Sequence, residues 1–85
     1  MEKLVSLIIP IYNEEDSVEI LVNEILSLEK EFSFLLPIFV NNGSTDNTKK
    51  KLEALNNSQT FKLLNLENNR GYGGGILEGL KSSNT

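Results

Sequence analysis

Three short polar segments of the sequence carry the side chains that could do chemistry. They read PIYNEE from residue 10, NNGSTDNT from residue 41 and ENNRGYGGG from residue 67. Each follows a run of apolar residues, which predicts a strand, and each leads into a helical pattern. Because ligands of open α/β sheets bind beyond the carboxyl ends of the strands, the three segments are expected to form one cleft.

The first segment offers an aromatic ring and a carboxamide directly after the first strand. Tyr12 can stack on a nucleobase, and Asn13 can bond to the edge of a base or hold a neighbouring loop. The alternative is structural, with Tyr12 closing the core and Asn13 capping the next helix. The carboxylates of residues 14–16 are more typical of the positive end of a helix dipole than of a cation site.

The second segment has two carboxamides at the end of a strand. Gly43 permits a positive φ, and residues 44–46 can satisfy free backbone amides at the start of the following helix. This turn-and-cap chemistry accounts for the segment from Gly43 onward. It gives no reason for Asn41 and Asn42, which are therefore candidate ligand-binding residues.

The third segment holds four glycines within five residues, just before a helical pattern. Such a bare backbone can pass close to a ligand, and a helix start favours an anion. Arg70 can bind a diphosphate through two hydrogen bonds or remain solvated in the loop. The segment does not match the dinucleotide-binding fingerprint G-x-G-x-x-G, because Ile76 occupies the third glycine position and the segment follows the third strand rather than the first. A dinucleotide-dependent oxidoreductase is thus disfavoured.

Alternating elements position these segments. Strands are predicted at residues 4–11, 34–40 and 61–66, and helices at about 16–28, 46–57 and 74–82. The apolar runs are typical of strands buried in a parallel sheet, and apolar residues spaced three and four apart indicate helices. The β-α-β-α-β-α order predicts an α/β, Rossmann-like parallel sheet with right-handed crossovers. Pro37 is expected at a sheet edge or near the beginning of its strand.

Composition narrows the classes of function. The 85 residues carry a net charge of −4 and contain neither cysteine nor histidine. The acidic balance disfavours nucleic acid as a partner. Disulfides and the usual zinc sites are excluded, so any metal would need oxygen ligands, which favours Mg²⁺ or Mn²⁺. Without a signal peptide or a run of about 18 apolar residues, the expected compartment is the cytoplasm. Attachment to the inner face of a membrane would need segments outside this chain.

Taken together, VSLIIPIYNEE, IFVNNGSTDNT and NNRGYGGGILEGL resemble, in order and spacing, the opening blocks of the family 2 glycosyltransferases. The resemblance covers nearly the whole chain. It implies that residues 1–85 are the amino-terminal, nucleotide-sugar-binding half of a GT-A fold. It also implies sugar transfer from a nucleotide-diphosphate sugar to a saccharide or lipid acceptor, usually with Mg²⁺ or Mn²⁺.

The resemblance extends to individual residues. Tyr12 would pack on the base, residues 43–46 match the family's GSTD, and residues 69–71 match an N-x-G block near the donor. Asn41 and Asn42 fall where the family most often has two aspartates, or aspartate then asparagine, one of which bonds the base. The nucleotide-sugar-binding residues implied are Pro10, Ile11, Tyr12, Asn13, Glu14, Asn41, Asn42, Ser44, Asn69, Arg70 and Gly71.

Two departures from the family pattern bear on activity. Asn41 replaces the usual leading aspartate, and a neutral acceptor contributes about 0.5–1.5 kcal/mol to a hydrogen bond, against about 1.5–3 for a charged one. The family's Asp-x-Asp motif and catalytic base lie beyond residue 85, so no catalytic or metal-binding residue is predicted here. The full-length protein is expected to be an enzyme, and this segment alone to be inactive. The alternative is a non-catalytic nucleotide-binding or regulatory module.

Overall fold

A computed structural model of the protein describes residues 5–83, in which strands and helices alternate. The elements are β1 (Val5–Ile11), α1 (Val18–Glu31), β2 (Leu35–Asn42), α2 (Thr48–Leu55), β3 (Lys62–Leu66) and α3 (Gly71–Ser82). The strands form one parallel sheet in the order β1-β2-β3. The predicted Rossmann-like arrangement is confirmed, while residue 4 of the predicted first strand lies outside the described residues.

The helices cover the two faces of the sheet. On one face, α1 and α2 contact each other and pack on β2 and β3, whereas α3 lies across β1 and β2 on the other. The core is on the α1/α2 face, where the rings of Phe39 and Phe61 meet edge to face at 4.7 Å between centroids. Its other buried members are Ile11, Val18, Val22 and Leu52. Burial of this apolar cluster stabilises the sheet that carries the loops.

The central strand contains Pro37, which was expected at a sheet edge or near the beginning of its strand. Pro37 pairs with Leu7 of β1, but pairing between β2 and β3 begins only at Ile38. Its missing N–H therefore falls before the β2–β3 hydrogen-bond ladder starts. The edge location is wrong, whereas a place near the beginning of the strand is confirmed.

Both asparagines at the end of β2 belong to the strand. The strand was predicted to end at Val40, yet Asn41 pairs with Asn65 of β3 and Asn42 with Leu66. Because successive side chains of a strand point to opposite faces, Asn41 lies on the α1/α2 face and Asn42 on the α3 face. The two carboxamides cannot serve one pocket together.

The glycine-rich segment belongs mostly to a helix, so its prediction as a loop through Gly73 is wrong. α3 already begins at Gly71 and ends at Ser82, as predicted for its end. A Cβ on Gly79 would lie 2.6 Å from Cγ2 of Ile8, and one on Gly75 would lie 3.0 Å from Nδ2 of Asn42. These two glycines let the helix approach the sheet closely, and a side chain at either one would force its neighbours on the sheet to shift.

Candidate functional site

The loops that follow the three strands meet at the carboxyl edge of the sheet. We call residues 12–17 the first loop, residues 43–47 the second loop and residues 67–70 the third loop. A parallel sheet requires this convergence, because all its strands end on the same side. The contacts between the loops fall into two distinct regions.

The first and second loops are joined by the side chain and backbone of Asn13. Its backbone N–H donates to Oγ of Ser44 at 3.0 Å, and its Nδ2 donates to Oγ1 of Thr45 at 3.2 Å. Its Oδ1 accepts the amide N–H of Thr45 at 2.8 Å. Asn13 has a φ of 50°, which asparagine tolerates better than most residues. The prediction that Asn13 holds a neighbouring loop is confirmed, and the prediction that it caps α1 is wrong.

Asp46 and Thr48 complete this junction. The Thr48 hydroxyl accepts the Glu14 amide N–H at 2.9 Å and donates to Oδ1 of Asp46 at 2.5 Å. The same Asp46 oxygen accepts the Thr48 amide at 2.9 Å, and its other oxygen accepts the Glu15 amide at 3.4 Å. We call Asn13, Ser44, Thr45, Asp46 and Thr48 the clasp. The predicted role of Asp46 in satisfying a free amide at the start of α2 is confirmed.

The hydrogen bonds of the clasp favour the ionised form of Asp46. Desolvation raises the pKa of this carboxyl, but the bonds from the Thr48 hydroxyl and amide and from the Glu15 amide act in the opposite direction. Together they hold the pKa of Asp46 below its ordinary value of 3.8. The clasp is thus a charge-assisted network at neutral pH.

A small cleft forms the second region, between the first and third loops. It has a volume of about 160 Å³. Its lining consists of Pro10, Ile11, Tyr12, Asn42, Asn69 and Tyr72. Because typical ligand pockets measure roughly 300–1,000 Å³, this cleft suits one planar ring rather than a whole nucleotide sugar. All lining residues except Tyr72 were singled out from the sequence.

Asn42 forms the floor of the cleft, and both polar atoms of its side chain are hydrogen-bonded within the protein. Its Oδ1 accepts the Arg70 amide N–H at 2.9 Å, and its Nδ2 donates to the carbonyl oxygen of Gly71 at 2.9 Å. Only 4% of Asn42 is exposed. A carboxamide suits this place because it both donates and accepts, whereas a carboxylate would oppose the Gly71 carbonyl. Asn42 therefore ties the end of β2 to the start of α3.

Asn41 lies outside the cleft, on the opposite face of the sheet. Its Nδ2 donates to Oδ1 of Asn65 at 2.9 Å, and the residue is 2% exposed. Within residues 5–83, no group forms a hydrogen bond to its buried Oδ1. Of the two strand-end asparagines, the structure brings only Asn42 to the cleft.

The third loop contributes one side chain to the cleft and directs another away from it. Asn69 lines the cleft, and its Oδ1 accepts the Gly71 amide N–H at 2.6 Å. The Arg70 side chain runs along α3 instead, with Nη1 3.7 Å from Oε1 of Glu78. Gly74 makes room for it, since a Cβ there would lie 2.7 Å from Cβ of Arg70. Arg70 thus borders the site without lining it.

Gly43 brings the second and third loops into direct backbone contact. Its φ is 71°, in the left-handed region that favours glycine. A Cβ at this residue would lie 2.3 Å from the backbone nitrogen of Asn69 and 2.4 Å from the carbonyl carbon of Asn68. Glycine is therefore required at this residue for two reasons. One is the turn that was predicted from the sequence, and the other is the close contact with the third loop, which leaves no room for a side chain.

The residues predicted from the sequence to bind the nucleotide sugar are divided between the two regions. Asn13 and Ser44 belong to the clasp, and the Glu14 carboxylate accepts a hydrogen bond from the Ser17 hydroxyl at 2.7 Å. Tyr72 was missed, although an aromatic residue between glycines at the start of a helix is a visible signal. The clasp was predicted only in part, for Asn13 and Asp46, because hydroxyl and carboxylate partners from different loops are matched only by the fold.

A larger depression lies at the other end of the sheet. It measures about 520 Å³ and is lined by Leu36, Glu53, Asn56, Gln59, Thr60, Phe61, Lys62 and Leu63. Its strand residues come from the beginnings of β2 and β3, and it contains none of the candidate site residues. Since ligands of open α/β sheets bind beyond the carboxyl ends, the smaller cleft is the candidate site.

The described residues lack two further features. Nowhere between residues 5 and 83 do three side chains of the His, Cys, Asp or Glu types gather closely enough to hold a metal ion. Over the same range, no helix has the length and apolar character needed to cross a bilayer.

A parallel sheet with helices on both faces and a small cleft at its carboxyl edge defines a Rossmann-like α/β protein. The family model described as Glycosyl transferase family 2 matches residues 6–85. The chain belongs to this family, so the resemblance noted in the sequence is confirmed and glycosyl transfer is the chemistry of its class.

Relatives with assigned activities match most of this chain. A poly-beta-1,6-N-acetyl-D-glucosamine synthase from Staphylococcus epidermidis is 33% identical over 79 residues, which is 93% of this chain and 19% of the relative. An undecaprenyl-phosphate 4-deoxy-4-formamido-L-arabinose transferase from Proteus mirabilis is 37% identical over 73 residues, covering 81% of this chain and 22% of the relative. The chain thus spans about a fifth of the length of these relatives.

Proposed function

We propose that this chain forms the nucleotide-binding part of a glycosyltransferase whose donor is a nucleotide-diphosphate sugar. The cleft at the carboxyl edge carries the proposal, because it combines an apolar wall with an accessible aromatic ring. Pro10 supplies that wall, and Tyr12 is 44% exposed beside it. An aromatic ring beside an apolar wall suits the flat face of a nucleobase. The volume of the cleft agrees with one ring as its occupant.

We propose a saccharide or lipid as the acceptor. One relative is named as a synthase of poly-beta-1,6-N-acetyl-D-glucosamine and another as an undecaprenyl-phosphate transferase, so a polysaccharide and a lipid phosphate both appear in the names of proteins similar to this chain. In the proposed reaction, an acceptor oxygen attacks the anomeric carbon of the donor sugar, the bond from that carbon to the nucleoside diphosphate breaks, and a base outside residues 1–85 takes the proton of a hydroxyl acceptor. The described residues serve to bind and orient the donor.

The Mg²⁺ or Mn²⁺ implied by the family does not fit the donor set found here. The Asp46 carboxylate is already hydrogen-bonded within the clasp. Among residues 5–83, no group of three His, Cys, Asp or Glu side chains could hold a metal ion. We therefore derive no step through a metal from this chain. We propose that the cation and the catalytic base are held by segments beyond residue 85, and that residues 1–85 are inactive alone.

One observation supports a second candidate, a nucleotide-binding or regulatory module without turnover. Both strand-end residues are neutral carboxamides, and Asn42 uses both of its polar atoms within the protein. A donor base would then lack a charged partner at this strand end. Glycosyl transfer by the full-length protein would favour the enzyme, and tight nucleotide binding without any turnover would favour the module.

The donor proposal is tested by calorimetric titration of the full-length protein with uridine and guanosine diphosphates in the presence of Mn²⁺. We expect binding of at least one of them, with stabilisation of about 2.7 kcal/mol at a ligand concentration one hundred times Kd. Tyr12→Ala should weaken binding, while Tyr12→Phe, the matched control, should preserve it because the ring remains. Failure of every nucleoside diphosphate to bind would contradict the proposal.

A further inference from the structure

Tyr72 is the most exposed aromatic residue of the cleft. It lies in the first turn of α3 and is 75% exposed, yet it lines the same small cleft as Tyr12. The two rings come from different elements, the first loop and the helix that follows the third loop. Packing within the described residues does not account for a large ring left so accessible.

The polar floor of the cleft adds little to recognition. Asn42 uses its oxygen on Arg70 and its nitrogen on Gly71, and the Asn69 oxygen accepts the Gly71 amide. A ligand that competed for these groups would have to break hydrogen bonds that hold the start of α3. The two tyrosines, by contrast, leave much of their side chains accessible, with Tyr72 75% and Tyr12 44% exposed. Recognition in this cleft is therefore expected to rely on stacking.

Gly73, the next residue, is the second observation. It is helical, its φ is not positive, and a Cβ placed on it would meet nothing within 4 Å. Neither conformation nor packing requires glycine there, although glycine lowers helix stability relative to alanine. Gly75 and Gly79 in the same helix do have packing reasons. Gly73 directly follows Tyr72 in α3, and the space beside it is open.

We infer that Tyr72 and Gly73 form the outer wall of the donor site. The Tyr72 ring stacks on a nucleobase that also contacts Tyr12, and Gly73 leaves room for the nucleoside as it enters. This inference rests on the proposed function, since it assigns a nucleoside to the cleft. Stacking on an aromatic ring tolerates different bases because every base has a π-face, so Tyr72 contributes affinity more than base preference.

The test is titration of the full-length protein and its variants with uridine diphosphate and guanosine diphosphate in Mn²⁺. Tyr72→Ala should raise Kd roughly five- to 150-fold for both ligands, the range for losing one stacked base. Tyr72→Phe should stay near the wild type. Leu77→Ala, at a 52% exposed residue of the same helix, is the matched control and should leave Kd unchanged.

Gly73→Ala gives an independent readout. Alanine is the better helix former, so the variant should melt at a higher temperature while binding either nucleotide more weakly. Inorganic pyrophosphate, which has no ring, should bind wild type and Tyr72→Ala equally. A wild type that binds no nucleoside diphosphate would overturn the proposed function itself. Normal nucleotide binding by Tyr72→Ala, or an equal loss for pyrophosphate, would overturn only this inference.

Discussion

The clasp and the cleft lie side by side at one edge of the sheet, but they use their side chains in opposite ways. In the clasp, the polar side chains of Asn13, Asp46 and Thr48 are bonded to the neighbouring loop. In the cleft, Tyr12 and Tyr72 leave their rings accessible. Polar residues at strand ends are therefore not in themselves a sign of ligand binding. A binding surface is recognised instead by accessible side chains that do not hold the loops together.

The two regions are nevertheless coupled through the chain. Tyr12 directly precedes Asn13, whose backbone and side chain are both fixed by the second loop. Gly43 joins that loop to the third loop, and Asn42 joins β2 to the start of α3. The scaffold thus fixes the backbone on both sides of the cleft, as a preorganised binding site requires.

The largest expected effect comes from Gly43→Ala, which breaks the link between the second and third loops. The new Cβ would meet backbone atoms of Asn68 and Asn69 at 2.3–2.4 Å, and backbone cannot rotate away. With the strain of a positive φ added, we expect a loss of about 3 kcal/mol or more in the free energy of unfolding. Denaturant unfolding of the full-length protein measures it.

Gly71→Ala is the control for this substitution. Gly71 also has a positive φ, 73°, but a Cβ there would meet nothing within 4 Å. Only the backbone strain remains, so we expect a cost of about 1 kcal/mol. Equal losses in the two variants would show that the loop crossing contributes nothing.

The next effect separates the two strand-end asparagines. Asn42→Asp would set a carboxylate oxygen against the Gly71 carbonyl oxygen at the present donor distance of 2.9 Å. We expect a loss of about 1–3 kcal/mol in the free energy of unfolding at pH 7, because a buried donor bond is replaced by repulsion. The introduced carboxyl would have a raised pKa, so the loss should shrink as the pH falls and the group is protonated.

Asn41→Asp is the comparison for that variant. The partner of Asn41 is the side-chain amide of Asn65, which can rotate so that its nitrogen donates to the new carboxylate. The backbone carbonyl of Gly71, the partner of Asn42, cannot become a donor in this way. We therefore expect a smaller loss of stability and, from its place on the opposite face, an unchanged nucleotide affinity. A changed base preference in Asn41→Asp, measured by titration, would return this residue to the donor site.

These two asparagines also show which features of the fold and site can be predicted from the sequence. Apolar runs and helical spacing predict the alternating elements because those patterns follow from burial along each element. The location of Asn42 in the cleft and Asn41 outside it depends on where β2 ends, and the strand runs two residues further than its apolar stretch. Pairing with β3 extends it, and strand pairing is a tertiary contact that local sequence does not contain.

The third segment illustrates the same limit. Glycine's low helix propensity predicts a loop through Gly73, yet α3 begins at Gly71. Contact between α3 and the sheet at Gly75 and Gly79 stabilises the helix and overrides that propensity. Family resemblance supplied the candidate residues, but only the fold divides them between a structural clasp and an open cleft.

The smallest expected effect comes from removing the charge of Asp46 in the clasp. The pKa of Asp46 lies below 3.8 in the folded state, so its bonds stabilise the fold fully above the unfolded value. That contribution is lost as the pH falls from 3.8 through the lowered pKa. Asp46→Asn should therefore be less stable than the wild type at pH 7, and the difference should narrow toward acid pH. Unfolding curves that stay parallel between pH 7 and pH 3 would mean that the carboxylate does not hold the clasp.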